Sequence, residues 1–126
     1  MIKVIETPDS PPAIGPYSQG IQFGNMMFTS GQLPVDPETG EMSEDTKEQA
    51  HQCLKNVRAV LESAGFTMKD VRKATVFVKN MDDFTDINCV YKQYFSVPFP
   101  CRSLVEVVRL PKDVKVEIEV FASKEI

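Results

Sequence analysis

One histidine, three cysteines and no excess of positive charge leave few routes to chemistry in this 126-residue chain. A Ser/His/Asp triad or a two-histidine metal site would have to be built around His51 alone. That residue sits in Glu48-Gln49-Ala50-His51-Gln52, inside a helical pattern, where a solvated helix histidine is expected. Cys53, Cys89 and Cys101 are odd in number and match no zinc-ligand spacing, so reduced thiols are the expected state. Fourteen Lys plus Arg against eighteen Asp plus Glu give a net charge of −4, which argues against a role built on attraction to a phosphate backbone. Apolar runs such as Val76 to Val78 fall far short of the ~20 residues that cross a bilayer. Residues 1–30 show no basic start, long apolar stretch or small-residue cleavage site, so a cytoplasmic protein is expected.

What is present is the composition of an ordinary globule, 42% hydrophobic and 25% charged, in one domain expected to span residues 1–126. Ile2-Lys3-Val4-Ile5 reads as an edge strand, followed by a proline-rich stretch from Thr7 to Pro12 that forbids a regular ladder. Ile21 to Phe23 and Met26 to Ser30 flank a Gly24-Asn25 turn and predict a hairpin. Ala50, Cys53, Leu54, Val57, Leu61 and Ala64 recur at helical spacing. Thr46-Lys47-Glu48-Gln49 offers a capping box at the start of that helix, and Gly65 a left-handed cap at its end. Val71 to Asn80 is rich in β-formers. A second helix is expected from Asp82 or Asp83, with Phe84, Ile87, Tyr91 and Tyr94 or Phe95 on its apolar stripe and Val97-Pro98-Phe99-Pro100 as its stop. Two strands follow, separated by Pro111-Lys112-Asp113.

The order β, β, β, α, β, α, β, β predicts an α+β fold, one sheet with two helices on one face. In the last strand Val116, Ile118, Val120 and Ala122 share one side, and Lys115, Glu117, Glu119 and Phe121 the other. In the strand before it, Arg102, Leu104, Glu106 and Val108 share a face. Ile21, Phe23, Phe28, Phe77, Leu104 and Phe121 would make the uncovered side of the sheet partly apolar, which favours burial against another copy of the chain.

Few residues stand out chemically. Arg102 follows Phe99-Pro100-Cys101 at the start of a strand, and its planar fork suits a bidentate carboxylate ligand; a structural salt bridge to Glu106 on the same face is the alternative. Glu117 or Glu119, if desolvated at an interface, would have a raised pKa and could act as base, but their alternation does not choose between them. Tyr17 lies in a Gly- and Pro-containing loop where a packed aromatic is the default. Ser30-Gly31 marks a strand end whose exposed N–H groups could meet an anion. Cys101, beside Arg102, is either a packed small residue or a thiol of lowered pKa.

Ala13-Ile14-Gly15-Pro16-Tyr17-Ser18-Gln19-Gly20, Ser30-Gly31-Gln32-Leu33-Pro34, Asn88, Pro100-Cys101-Arg102-Ser103, and Val105 to Asp113 with Val116-Glu117-Ile118-Glu119 resemble the Rid family of reactive intermediate deaminases, formerly YjgF, and its RidA branch in particular. The likeness runs over essentially the whole chain, with the motifs in order. It implies a chorismate-mutase-like fold, assembled as a homotrimer around a central sheet barrel with clefts between subunits. It implies hydrolysis of 2-iminobutanoate, 2-iminopropanoate and the 2-aminoacrylate-type enamines that precede them to 2-oxo acids and ammonia, with neither cofactor nor metal. By position Arg102 matches the family's carboxylate clamp and Glu117 the glutamate associated with the attacking water, while Tyr17, Ser30, Gly31 and Asn88 match other substrate-binding positions. Two residues depart from the branch pattern: Leu104 stands where many members have Cys, which would make the cleft wall more apolar, and Cys101 where many have Ala. The partners expected are small-molecule 2-imino acids and other copies of the chain, with no membrane and no nucleic acid. A small-carboxylate-binding regulatory trimer and an endoribonuclease or translation inhibitor are the rival readings.

Overall fold

A computed structural model describes residues 1–125. It contains β1 (Ile2–Ile5), β2 (Gly20–Phe23), β3 (Met26–Thr29), α1 (Thr46–Ser63), β4 (Val71–Val78), α2 (Phe84–Tyr91), β5 (Cys101–Glu106) and β6 (Val116–Ser123), the order expected. The six strands form one sheet in the order β1-β2-β3-β6-β4-β5. Every pair is antiparallel except β4 and β5, whose parallel pairing α2 bridges as a crossover. Both helices lie on one face of this mixed sheet and share its core.

The alternation in β6 sets that core. Val116, Ile118, Val120 and Ala122 are buried against Cys53, Leu54, Val57 and Leu61 of α1. Burying a side chain of this size contributes about 1.5–3 kcal/mol, and the stripe supplies several. At the C-terminus of α1, Gly65 at φ 81° carries the chain backwards, with its N–H donating to the Glu62 carbonyl and the Phe66 N–H to the Leu61 carbonyl. This is the Schellman closure, and Phe66 and Leu61, both buried, make its apolar contact. At the other end the cap is one residue earlier than expected: Asp45, not Thr46, accepts the Glu48 N–H at 3.0 Å, because a charged carboxylate one position back meets both the free amides and the helix dipole.

The second helix also starts and ends differently from its sequence pattern. Asn80 caps a single 3₁₀ turn over Met81–Asp83, and the carboxylates of Asp82 and Asp83 make no cap bond. The helix stops at Tyr91, so Tyr94 and Phe95 reach the core from the turns beyond it.

The uncovered face carries an aromatic row. Phe23 stacks on Phe28 with centroids 5.8 Å apart, and Phe28 tilts against Phe121 at 4.8 Å. Phe77 sits there beside Val105, its register partner. Leu104 does not: it lies level with the wholly buried Val76 and packs on the core under the helices. Parity along an edge strand divides its residues into two sets, but the pairing to β4 decides which set the helices cover. Leu104 therefore adds nothing to the open face, and it borders neither cleft described below.

Candidate functional site

The candidate residues separate into two groups on opposite faces of the sheet. The first group gathers where β3 parts from β6. Their pairing ends at Phe28 and Phe121 and resumes only at Gln32 and Ile118, so Thr29, Ser30 and Gly31 stand opposite the two residues Glu119 and Val120. The extra residue is a bulge, and the Thr29 hydroxyl fills the missing rung by accepting the Val120 N–H at 3.1 Å. Glu117 points out of β6 on the open face and lays its carboxylate over Gly31. A Cβ at position 31 would stand 1.8 Å from Glu117 Oε2, so only glycine leaves the carboxylate its place.

Around these two residues lies a cleft of about 720 Å³ that also takes in Tyr17 and Ser30, with Pro12, Ile14, Leu33 and Pro111 among its apolar walls. Tyr17 is half exposed at its rim. Ser30 is anchored at both ends, its hydroxyl donating to the Ser18 carbonyl at 2.6 Å and its N–H to the Gln19 carbonyl at 2.9 Å. Burial, and then the neighbouring Glu119 charge, push the Glu117 carboxyl above its ordinary pKa. The structure thus distinguishes the two glutamates: Glu117 is the one desolvated against a backbone in a cleft.

The second group is built on the helix side of β5. Arg102 lies level with the wholly buried Ala74 and reaches α2. Its Nη1 donates to Asn88 Oδ1 at 2.6 Å, and its guanidinium lies 4.8 Å from the centre of the Tyr91 ring and 5.8 Å from that of Phe84. Phe84, Asn88 and Tyr91 are spaced four and three apart, so one helix face presents all three to the arginine. The salt bridge to Glu106 does not form; that carboxylate caps the Met81 N–H at 2.8 Å instead. Among the described residues the one ion pair is Arg109 with Asp113, on the surface. Arg102 is therefore held by an amide and two aromatic faces, with no carboxylate on it, in a hollow of about 380 Å³ that Phe99 and Pro100 help to line.

The thiols and the histidine stand apart from both groups. Cys53 is buried, its Sγ donating to the Val116 carbonyl at 3.4 Å, and its pKa is raised first by that burial. Cys101 is exposed and unbridged. His51 is less solvated than its pattern predicts, with Nδ1 3.0 Å from the Tyr94 hydroxyl. Among the described residues no three His, Cys, Asp or Glu side chains gather where they could hold a metal ion, and no helix is long and apolar enough to cross a membrane.

The sequence reading passed over two sets of residues. Phe84 and Tyr91 were assigned to the core stripe alone, although their spacing with Asn88 was visible. Gln19 and Gln32, to which the sequence analysis gives no role, are both buried.

Comparison with known proteins bears on these groups together. The family model described as Endoribonuclease L-PSP matches residues 7–124. The 2-iminobutanoate/2-iminopropanoate deaminase of Salmonella typhimurium is 53% identical over 97% of this chain and 98% of its own. The crystal structure of Escherichia coli TdcF with bound serine superposes with a TM-score of 0.95 at 51% identity, covering 98% of this chain and 99% of that one. The YjgF gene product of Escherichia coli superposes with a TM-score of 0.94 at 50% identity, over 98% and 99% of the two chains.

Proposed function

The chain belongs to the Endoribonuclease L-PSP family, the Rid family of reactive intermediate deaminases, and from that premise we propose that Arg102 and Glu117 are the working residues of its hydrolytic 2-imino acid deaminase site, which two subunits complete between them. The substrates are 2-iminobutanoate and 2-iminopropanoate, together with the enamines that tautomerise to them, and the products are 2-oxo acids and ammonia. The cytoplasm is the compartment in which we place this activity.

An iminium carbon is already electrophilic, so the site has three tasks: to hold the substrate carboxylate, to keep the nitrogen protonated and to direct one water. Arg102 takes the carboxylate through the donors that Asn88 leaves free, a charge-assisted contact of roughly 1.5–3 kcal/mol. Glu117 removes a proton from the water as its oxygen bonds to the imine carbon. The resulting carbinolamine then loses ammonia: Glu117 returns its proton to the departing nitrogen, and as the C–N bond breaks and the C=O bond forms the hydroxyl proton passes to the released ammonia, which leaves as ammonium. A carboxyl whose pKa is raised by burial suits both halves of this cycle. Tyr17 closes the apolar side against the short substrate tail, and Ser30 and Gly31 form the backbone edge of the cleft.

The observation that carries this reading is the half-buried Glu117 carboxylate laid over Gly31 in a cleft that contains no cation from β5. Arg102 faces the helix side of the same sheet, so a substrate touching both residues must lie between two chains. A homotrimer with the aromatic face of each sheet turned inward supplies that arrangement, and it covers Phe28, which is 47% exposed in the single chain. The test is ammonia release from 2-iminobutanoate generated in situ by a threonine dehydratase. Accelerated release is expected; binding of 2-oxobutanoate without acceleration would leave a carboxylate sensor in place of an enzyme.

A further inference from the structure

Beneath the Glu117 cleft runs a chain of buried amides that the chemistry above does not use. Gln19, Gln32, Ser10 and Thr7 are all nearly inaccessible. Gln19 Oε1 accepts the Thr7 N–H at 2.7 Å, and its Nε2 lies 3.1 Å from the Thr7 carbonyl and 2.8 Å from that of Pro11. The Ser10 hydroxyl donates to Gln32 Oε1 at 3.0 Å. Gln32 Nε2 in turn donates to the Ser30 carbonyl at 3.2 Å, reaching back across Gly31. The backbone of Gln32 exchanges both of its bonds with Ile118, the residue after Glu117, at 2.7 and 3.2 Å. One residue therefore joins the proline-rich strap and the bulge through its side chain, and the strand that carries the base through its backbone.

The Ser30–Gly31 peptide is the piece this arrangement orients. In a trans peptide the C=O and N–H point in opposite directions. The Ser30 carbonyl is drawn inward to a buried amide, so the Gly31 N–H of the same peptide is turned the other way, toward the cleft that both residues line. No protein acceptor among the described residues takes this N–H. We infer that Gln32, braced by Ser10, is a positioning residue that aims the Gly31 N–H into the cleft as a fixed donor for the substrate carboxylate, opposite Arg102 of a neighbouring subunit. The inference rests on the deaminase reading above. It adds a reason for an apolar-looking loop to bury glutamines: a buried amide costs desolvation unless it is hydrogen-bonded, and here the oxygen and nitrogen of both amides have partners in the strap and at the cleft edge.

Gln32→Met keeps the side chain's length and removes both of its hydrogen bonds. With 2-iminobutanoate it is expected to raise KM about tenfold, the value of one hydrogen bond to a charged group, and to leave kcat within about twofold. Gln32→Glu keeps the Ser10 contact but presents an acceptor to the Ser30 carbonyl, and should raise KM at least as much. Ser10→Ala, which removes only the brace, should raise it about twofold. The folded wild-type protein provides a readout independent of these variants, because saturation with 2-oxobutanoate should move the Gly31 amide proton resonance downfield. Unchanged KM in a folded Gln32→Met protein, or a Gly31 resonance indifferent to saturating 2-oxobutanoate, would overturn the inference. Failure of the wild type to release ammonia while Gly31 still responds would instead overturn the deaminase reading alone.

Discussion

The two halves of the site are built on different physical terms. The Glu117 half is a strand bulge whose supporting framework is paired inside the chain, from the Thr29 hydroxyl on Val120 to the Gln32 amide on the Ser30 carbonyl. The Arg102 half is a guanidinium resting on one carbonyl oxygen and two aromatic faces, its charge unanswered by any acid among the described residues. Satisfied networks fix geometry, and unanswered charges recruit ligands. On the deaminase reading proposed above, one half holds the base in place, while the other takes the substrate anion. The largest effects should come from the half whose bonding is incomplete.

Arg102→Ala is the most severe test of that difference. Loss of a charge-assisted clamp from a desolvated site is worth about 3–5 kcal/mol, so deaminase activity should fall by more than a hundredfold, to near background. The particle mass by light scattering should match that of the wild type, because the substitution breaks no ion pair within the chain. Arg102→Lys should fare little better, since an ammonium cannot keep Asn88 and grip a carboxylate with two parallel bonds. Full activity in an assembled Arg102→Ala protein would remove the clamp from the mechanism.

Glu117→Gln attacks the other half. It keeps the shape over Gly31 and removes the base, so kcat should fall about a hundredfold or more while 2-oxobutanoate binds nearly as in the wild type. Gly31→Ala should cost as much by a different route, because its methyl group would occupy the position of Glu117 Oε2. A Glu117→Gln protein that turned over at the wild-type rate would leave the cleft a binding pocket only.

Much of this is legible in the sequence. The period-two alternation of β6 correctly placed Glu117 and Phe121 opposite the core, and the three-and-four spacing from Ala50 to Ala64 defined the buried stripe of α1. Leu104 went to the wrong face because β5 is an edge strand, where alternation defines two sides without saying which one the helices cover. The choice of Glu117 over Glu119 came only from family resemblance; the alternation could not carry it, because the contact of Glu117 with Gly31 is made across the bulge by residues distant in sequence. Nothing local marked Gln19 and Gln32, because glutamine in a Gly- and Pro-rich loop is ordinarily solvated and its burial depends on contacts distant in sequence.

The separation of the halves onto opposite faces can itself be tested by mixing the two inactive proteins. In a cyclic trimer each site would take its arginine from one chain and its glutamate from the next. Randomly mixed trimers of Arg102→Ala and Glu117→Gln chains would then hold both native residues in about one site in four. Co-refolding the variants should recover about a quarter of wild-type activity, from parents that show almost none. A mixture as inactive as its parents, with exchange of subunits verified by mass spectrometry, would mean that one chain supplies both residues and that the sheet does not divide the site.

The smallest effect separates the two acids of β6. Glu117 has its pKa raised first by desolvation and second by the Glu119 charge, so Glu119→Gln removes only the lesser cause. As pH falls, a base of raised pKa is protonated early, and the acid limb of kcat/KM should lie above the ordinary carboxylate range. Glu119→Gln should move that limb to lower pH and leave the plateau within about twofold. The same shift acts on stability with a definite sign. A carboxyl whose folded pKa lies above its unfolded value binds more protons folded than unfolded, so its contribution weakens as pH rises through that window. Glu119→Gln should therefore make the thermal midpoint less sensitive to pH between those two values, and Glu117→Gln should remove this contribution. An acid limb that stays fixed in Glu119→Gln but moves with substitutions in the Arg102 pocket would assign the titration to the other half of the site.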